Sequence, residues 1–543
     1  MGRFFFSFFF LLSILCLLPL KPVVALPLHT TSRWIVDEDG ARVKLACVNW
    51  PSHREAPVAE GLSNHPVDLI SKRIASLGFN CVRLALPLFL ATDQSLASLT
   101  VRQSFQRLGL LESLAGFQAN NPSMLDLPLT SAYQAVVSNI ADNNMMIILD
   151  SHFSKPSFHS NDIFGDQYFN PDLWVKGLTR MATVFSGVPN VVGMSLRNEL
   201  RCPKQNVKDW YRYMQKGAEA VHSANPDVLV IISGLSDGTD LSFLLNQQLE
   251  LTFTGKLVLE MHWDGLRAGR AGETSNPNKV CGRVVDSIMR RGGVLLQQGW
   301  PLMFVSELGV DDNRNLNCFF GLAAELDFDW ALWTVEETNG LMNWNSSVFQ
   351  RISALQSPLQ GPDVSRVRPH KIILHPPTGL CILWESWTEP LKLGPCTKSD
   401  AWGYTPQKLL IVKGSYFCLQ AVELGKPAKL SIICTKPGSN WDIISDSKMY
   451  LSTKLGDSTT VCLDVDSSST IVTDACKCLV EMIRVILGAS GSRLLTAQIF
   501  QEDLFFRPAR STLDLLEDLF LQALFLQAIE MELAREEVFI KPI

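Results

Sequence analysis

Eight short apolar runs, most of them carrying polar residues toward their ends, constrain the fold of this chain more than any other feature. In order they are 43–50 (VKLACVNW), 80–86 (NCVRLAL), 145–152 (MMIILDSH), 191–200 (VVGMSLRNEL), 227–234 (DVLVIISG), 256–263 (KLVLEMHW), 301–309 (PLMFVSELG) and 328–336 (FDWALWTVE). Runs that are apolar at nearly every position suit parallel strands covered on both faces. Between them, segments such as 67–78 (VDLISKRIASLG) and 129–144 (LTSAYQAVVSNIADNN) space their apolar residues three and four apart, as an amphipathic helix requires. Strand and helix alternating eight times predict an α/β fold of the (β/α)8 type, a TIM barrel. An open, doubly wound sheet is the main rival, but no glycine-rich nucleotide loop follows the first run.

In such a barrel the C-terminal strand ends form the mouth where chemistry sits. Arg83, His152, Asn198 with Glu199, His262 and Glu307 occupy those ends, and Trp333 lies near the end of the eighth run. Taken singly, each has an ordinary explanation: a solvated glutamate, a structural histidine, an arginine paired with a neighbouring acid, a core tryptophan. Their joint placement is harder to dismiss. Two carboxylates at one mouth are the minimum equipment for retaining glycoside hydrolysis, in which one protonates the leaving oxygen and the other attacks the anomeric carbon. Arg83 offers a fixed positive charge that favours an ionised Glu307. Asn198 suits a sugar hydroxyl, the histidines suit hydroxyls or carboxylates, and Trp333 offers a flat face for a sugar ring.

At 543 residues the chain is long enough for two or three domains. Its net charge of -6 gives no reason to expect nucleic acid or an anionic membrane as partner. Residues 1–25 carry Arg3, an apolar stretch, then Val23 and Ala25, the layout of a secretory signal peptide; an uncleaved anchor is the rival reading. Beyond Cys16 in that segment, twelve of the thirteen cysteines remain for an oxidising compartment. Their spacing does not resemble a zinc site, so neither metal nor other cofactor is expected. A linker is expected at 357–369. Beyond it Cys381 pairs naturally with Cys396, Cys418 with Cys434, and Cys462 with Cys476 or Cys478, while Trp402 and Trp441 follow the first two pairs. Such recurrence signals internal repeats. From residue 479 to 543 the pattern breaks, and the end reads as an atypical, partly helical tail that interrupts the third repeat.

SLRNEL and FVSELG resemble the two signature segments of glycoside hydrolase family 5, and CVRLAL, LDSH, EMHW and ALWT resemble its other active-site segments in order and spacing. The likeness spans residues 28–356. It implies Glu199 as acid/base and Glu307 as nucleophile, with Arg83, His152, Asn198, His262 and Trp333 in supporting, substrate-binding roles. Residues 370–478 resemble a ricin B-type β-trefoil lectin module, with Gln-x-Trp-like positions and an incomplete third repeat. The pair is similar to plant cellulase-like proteins, which implies a secreted, extracellular monomer acting on a cell-wall polysaccharide, with no membrane partner once the signal is removed. One departure stands out. The family usually has a tyrosine two residues after the histidine of its sixth strand, where this chain has Asp264. A carbohydrate-binding protein with an impaired barrel is therefore the alternative.

Overall fold

The computed structural model describes residues 26–52, 56–152, 169–198, 200, 205–263, 277–306, 313–333, 371–375, 377–386, 389–476 and 493–495. Eight parallel strands close into a barrel: β1 (Ala46–Trp50), β2 (Cys81–Leu86), β3 (Met146–Ser151), β4 (Val191–Ser195), β5 (Leu229–Ser233), β6 (Leu257–Trp263), β7 (Leu302–Ser306) and β8 (Asp329–Leu332). Each lies inside one of the eight apolar runs, and β8 pairs with β1 to complete the ring. Burial on both faces explains why the runs carry so few polar residues.

Among the described residues, the helices that connect them include α1 (Val67–Ser76), α2 (Leu129–Asp142), α3 (Pro171–Val184), α4 (Val207–Ala224), α5 (Pro277–Arg291) and α6 (Asn313–Leu326). Four further helices, Phe89–Thr92, Gln94–Ala97, Val101–Leu108 and Leu111–Asn120, precede α2 in the connection from β2 to β3. The expected alternation fails once among the described residues. Between β5 and β6 stand only a four-residue helical segment, Leu235–Gly238, and a 3-10 turn, Ser242–Leu245. Ser236, Asp237 and Gly238 all have positive φ, a conformation that cannot propagate a right-handed helix.

Two apolar layers form. One fills the lower barrel with Cys47, Cys81, Ile148, Val192, Ile231, Val258, Met303, Val305 and Ala331, closed beneath by Leu28 and Ile35. The other packs helices on strands, with Trp174, Trp210 and Trp330 fully covered. Buried indoles need acceptors for their N–H groups. Trp174 donates to the Leu196 carbonyl at 3.1 Å and Trp210 to that of Ser233 at 2.8 Å. A disulfide joins Cys47 to Cys81, which face each other in the β1–β2 register. A second, Cys281–Cys318, ties α5 to α6.

Twelve further strands form three four-stranded antiparallel sheets: β9 (Ile372–His375), β10 (Leu380–Leu383), β11 (Lys392–Gly394), β12 (Trp402–Tyr404), β13 (Leu410–Val412), β14 (Cys418–Gln420), β15 (Lys429–Ser431), β16 (Asp442–Ile444), β17 (Tyr450–Lys454), β18 (Thr460–Val465), β19 (Ile471–Ala475) and β20 (Arg493–Leu495). Each sheet carries one disulfide, Cys381–Cys396, Cys418–Cys434 and Cys462–Cys476, the last resolving the alternative left open with Cys478. All three sheets contribute to a single core that includes Ile382, Trp402, Leu419, Trp441 and Leu451. The sequence reading of 479–543 as tail is corrected in one place. Strand β20 pairs antiparallel with β9 and completes the first sheet as its fourth strand.

The barrel and these sheets belong to one compact unit. Met449, Tyr450, Cys462 and Cys476 join the apolar layer that covers the barrel's strands, and Ser447 donates to Asn278 Oδ1 at 2.8 Å. Residues 1–25, the linker, Cys202, Cys478 and the remainder of the tail lie outside the described residues. Among those described, no helix is long and apolar enough to cross a membrane.

His375 gives this region a pH dependence. Burial pushes its imidazole down from 6.5 to about 4. Between those values the unfolded chain binds a proton that the folded one refuses, so stability falls as pH drops from 6.5 towards 4. At 1.36 kcal/mol per unit the loss reaches about 3 kcal/mol. Urea midpoints measured across that range should slope accordingly, and His375→Gln should flatten the slope.

Candidate active site

Side chains alternate across a strand, so residues two apart share the barrel interior. Above the lower apolar layer, this alternation sends polar groups inward: Asn49 on β1, Arg83 on β2, Asp150 then His152 at the end of β3, Ser195 on β4, and Glu260 then His262 on β6. They cluster at the C-terminal half of the barrel.

Arg83 is the hub. It is 1% exposed, as is Asp150, and Glu260 is 0% exposed, so three charges share a site sealed from water. The guanidinium donates Nε to Glu260 Oε2 at 3.2 Å and Nη2 to Glu260 Oε1 at 2.9 Å. Nη2 also reaches Asp150 Oδ1 at 2.9 Å and Asn198 Oδ1 at 3.1 Å. Nη1 donates to Asn49 Oδ1 at 3.0 Å and lies 2.9 Å from Asp150 Oδ2. A guanidinium has five N–H groups, and these contacts occupy all of them. Burial opposes the charge on Arg83, but Asp150 and Glu260 outweigh it and raise its pKa. Burial likewise pushes the Glu260 carboxyl up, and the nearby Arg83 with the His262 hydrogen bond holds it below the usual range instead. Unpaired, either charge would cost several kcal/mol, so the ions exist here only together.

Each histidine is held by a carboxylate two residues before it. His152 Nδ1 lies 2.6 Å from Asp150 Oδ2, and its Nε2 faces Asn198 Nδ2 at 3.3 Å. His262 Nε2 lies 3.2 Å from Glu260 Oε1. Gly238 has φ +74°, and a Cβ there would fall 2.8 Å from the His262 ring, so only glycine lets the ring sit where it does. The half-buried Trp333 stacks on His152, ring centroids 6.0 Å apart.

Thus Arg83, His152, Asn198, His262 and Trp333 converge as expected from the strand ends. Glu199, Glu307 and Asp264 lie outside the described residues. Arg83 gives its donors to Glu260, Asp150, Asn49 and Asn198, and the expected effect of its charge on Glu307 falls on a residue outside those described. Glu260 and Asp150 lie inside their strands, within apolar runs where a single acid carries little signal. Counting back two residues from each histidine finds both.

The model for the cellulase (glycosyl hydrolase family 5) family matches residues 36–348, more than half of the chain. The chain belongs to glycoside hydrolase family 5. It is a glycoside hydrolase, similar over 518 residues at 39% identity to a glycosyl hydrolase 5 family protein of Chamaecyparis obtusa, covering 87% of this chain and 92% of that one. A major extracellular endoglucanase of Xanthomonas campestris is 28% identical over 214 residues, 38% of this family 5 chain and 40% of that protein. Among solved structures, a cellulase–inhibitor complex matches with TM-score 0.51 and 16% identity, covering 61% of this chain and 100% of that one. A hyperthermophilic endocellulase from Pyrococcus horikoshii matches with TM-score 0.50 and 17% identity over the same shares. At such identity these two likenesses concern the barrel fold of the family 5 hydrolase alone.

Proposed function

We propose that this hydrolase is a secreted, retaining endo-β-glycosidase that cuts cell-wall β-glycans, with Glu199 as acid/base and Glu307 as nucleophile. The observation that carries this reading is the buried cluster of Arg83, Asn198, His152 and His262 at the barrel's C-terminal half. Asn198 directly precedes Glu199 in the chain, and β7 ends one residue before Glu307. In the first step the Glu307 carboxylate attacks the anomeric carbon while Glu199 protonates the departing oxygen. In the second, Glu199 takes a proton from water, which attacks that carbon and releases Glu307. This requires carboxyl groups about 5–5.5 Å apart. Asn198 would hold a hydroxyl beside the reacting carbon, and Trp333 would stack on a ring.

An endo mode and an extracellular site are supported by the name of the Xanthomonas relative, the five disulfides among the described residues and the leader-like first 25 residues. The three disulfide-bearing sheets around one core are compatible with a ricin B-type β-trefoil, which in this reading holds the glycan for a monomeric enzyme. Asp264, where the family's tyrosine is usual, favours a second reading: a glycan-binding protein whose barrel turns over slowly or not at all.

A fluorinated glycoside separates the two. A retaining enzyme accumulates a covalent adduct on the peptide containing Glu307 and releases sugar with unchanged anomeric configuration. Turnover of β-glucan, mannan or xylan with inverted product overturns the mechanism. Binding without turnover on all three selects the second reading.

A further inference from the structure

We propose that Glu260 is a positioning residue of this hydrolase, holding Arg83 and His262 so that Asn198 meets the sugar in one orientation. The kinetic part of this inference rests on the glycosidase reading above; the geometry does not.

A carboxylate offers about four lone-pair sites. Glu260 spends them on Arg83 Nε and Nη2, on the Ser195 hydroxyl at 3.2 Å, and on His262 Nε2. Nothing remains for a substrate, so Glu260 acts through its partners. Its effect reaches Asn198 by way of Arg83. An asparagine amide has two ends of nearly equal shape, and only its partners decide which faces where. Here Oδ1 accepts from Arg83 while Nδ2 faces His152 Nε2. Reversed, the amide NH2 would confront a guanidinium and its oxygen would confront a ring nitrogen that accepts, because Asp150 takes the other ring proton. Both contacts would turn repulsive. The polarity of Asn198 therefore depends on Arg83 staying in place, and Glu260 grips that guanidinium along one edge through two nitrogens. The same carboxylate accepts from His262 Nε2 and so holds a proton on that nitrogen.

Glu260→Gln keeps the volume but replaces an acceptor by an NH2 that must face Arg83, Ser195 or His262. We expect kcat to fall about 10- to 100-fold, the range known for partners that orient metal-binding side chains, with KM within about threefold. In a cycle with Asn198→Ala, the double variant should lose much less than the product of the single losses. Nitrogen NMR of the imidazoles should show His262 protonated on Nε2 in the full chain, and that population should shift in Glu260→Gln. A folded Glu260→Gln with wild-type kcat, or losses fully multiplicative with Asn198→Ala, overturns the proposal. If the wild-type chain turns over no β-glycan, the glycosidase reading fails by itself. The NMR arm then decides, and an unchanged His262 tautomer overturns the role of Glu260. If Glu260→Gln does not fold, Ser195→Ala removes one bond to the same carboxylate. It should lower kcat several-fold in the same coupled way, and an unchanged kcat counts against the proposal.

Discussion

Glu307→Gln is expected to abolish turnover of both β-glucan and activated aryl glycosides, whereas Glu199→Gln should separate the two substrates. The reason lies in what each step needs. Without the nucleophile no covalent intermediate forms, whatever the leaving group. Without the acid, a sugar leaving group departs poorly, and positioned acid–base catalysis is worth about 10²–10⁴-fold. An aryl leaving group departs without that proton, so the first step survives in Glu199→Gln. The second step then stalls for want of a base, and the glycosyl-enzyme accumulates. Azide attacks without needing a base and should restore release in Glu199→Gln but not in Glu307→Gln. Rates on β-glucan and an aryl glycoside, with and without azide, provide the measurement. Two variants that keep full activity would remove both glutamates from the chemistry.

How much of this could be read beforehand depends on the scale of the signal. The barrel strands were visible because burial on both faces leaves an uninterrupted apolar run, and all eight lie inside the runs marked from residues alone. Helices α1 and α2 followed from their spacing. The missing helix between β5 and β6 was not foreseen, because an expected repeat hid what Ser236, Asp237 and Gly238 do to the backbone. Inside the barrel, Arg83 and its partner Asn198 were found, and its partners Glu260, Asp150 and Asn49 were not. Glu260 sits in the middle of LVLEMHW, where a lone charge looks like an accident. It is understood only when the two-residue alternation of β6 is laid beside that of β2 and β3, a relation between strands far apart in sequence. The same holds for Cys47–Cys81 and for β20, whose partner β9 lies more than a hundred residues earlier. Local pattern reports local structure; pairings across the barrel need the register.

Arg83→Met should cost both activity and stability, and the stability loss should depend on pH in a way that identifies its cause. The substitution keeps most of the aliphatic length and removes the guanidinium that pairs with both Asp150 and Glu260. Breaking a buried ion pair by removing one partner costs about 3–5 kcal/mol, most of it from the charge left behind. At pH 7 the variant should show that loss in urea unfolding. In the wild type Arg83 holds the Glu260 carboxyl below its usual range. Without Arg83, burial dominates and pushes the carboxyl above the unfolded value. Stability contributed by a depressed carboxylate is present above the unfolded pKa of about 4.3 and fades below it. The wild type therefore loses this contribution on acidification, whereas the variant gains by protonating Glu260, and the two curves should approach each other near pH 4. Arg83→Met/Glu260→Met removes one buried charge with its partner and should recover part of the stability at pH 7. It should recover no activity, because Asn198 still lacks the donor that fixes its amide. A stability gap equal at pH 7 and pH 4 would show that lost packing, rather than stranded charge, is what Arg83 prevents.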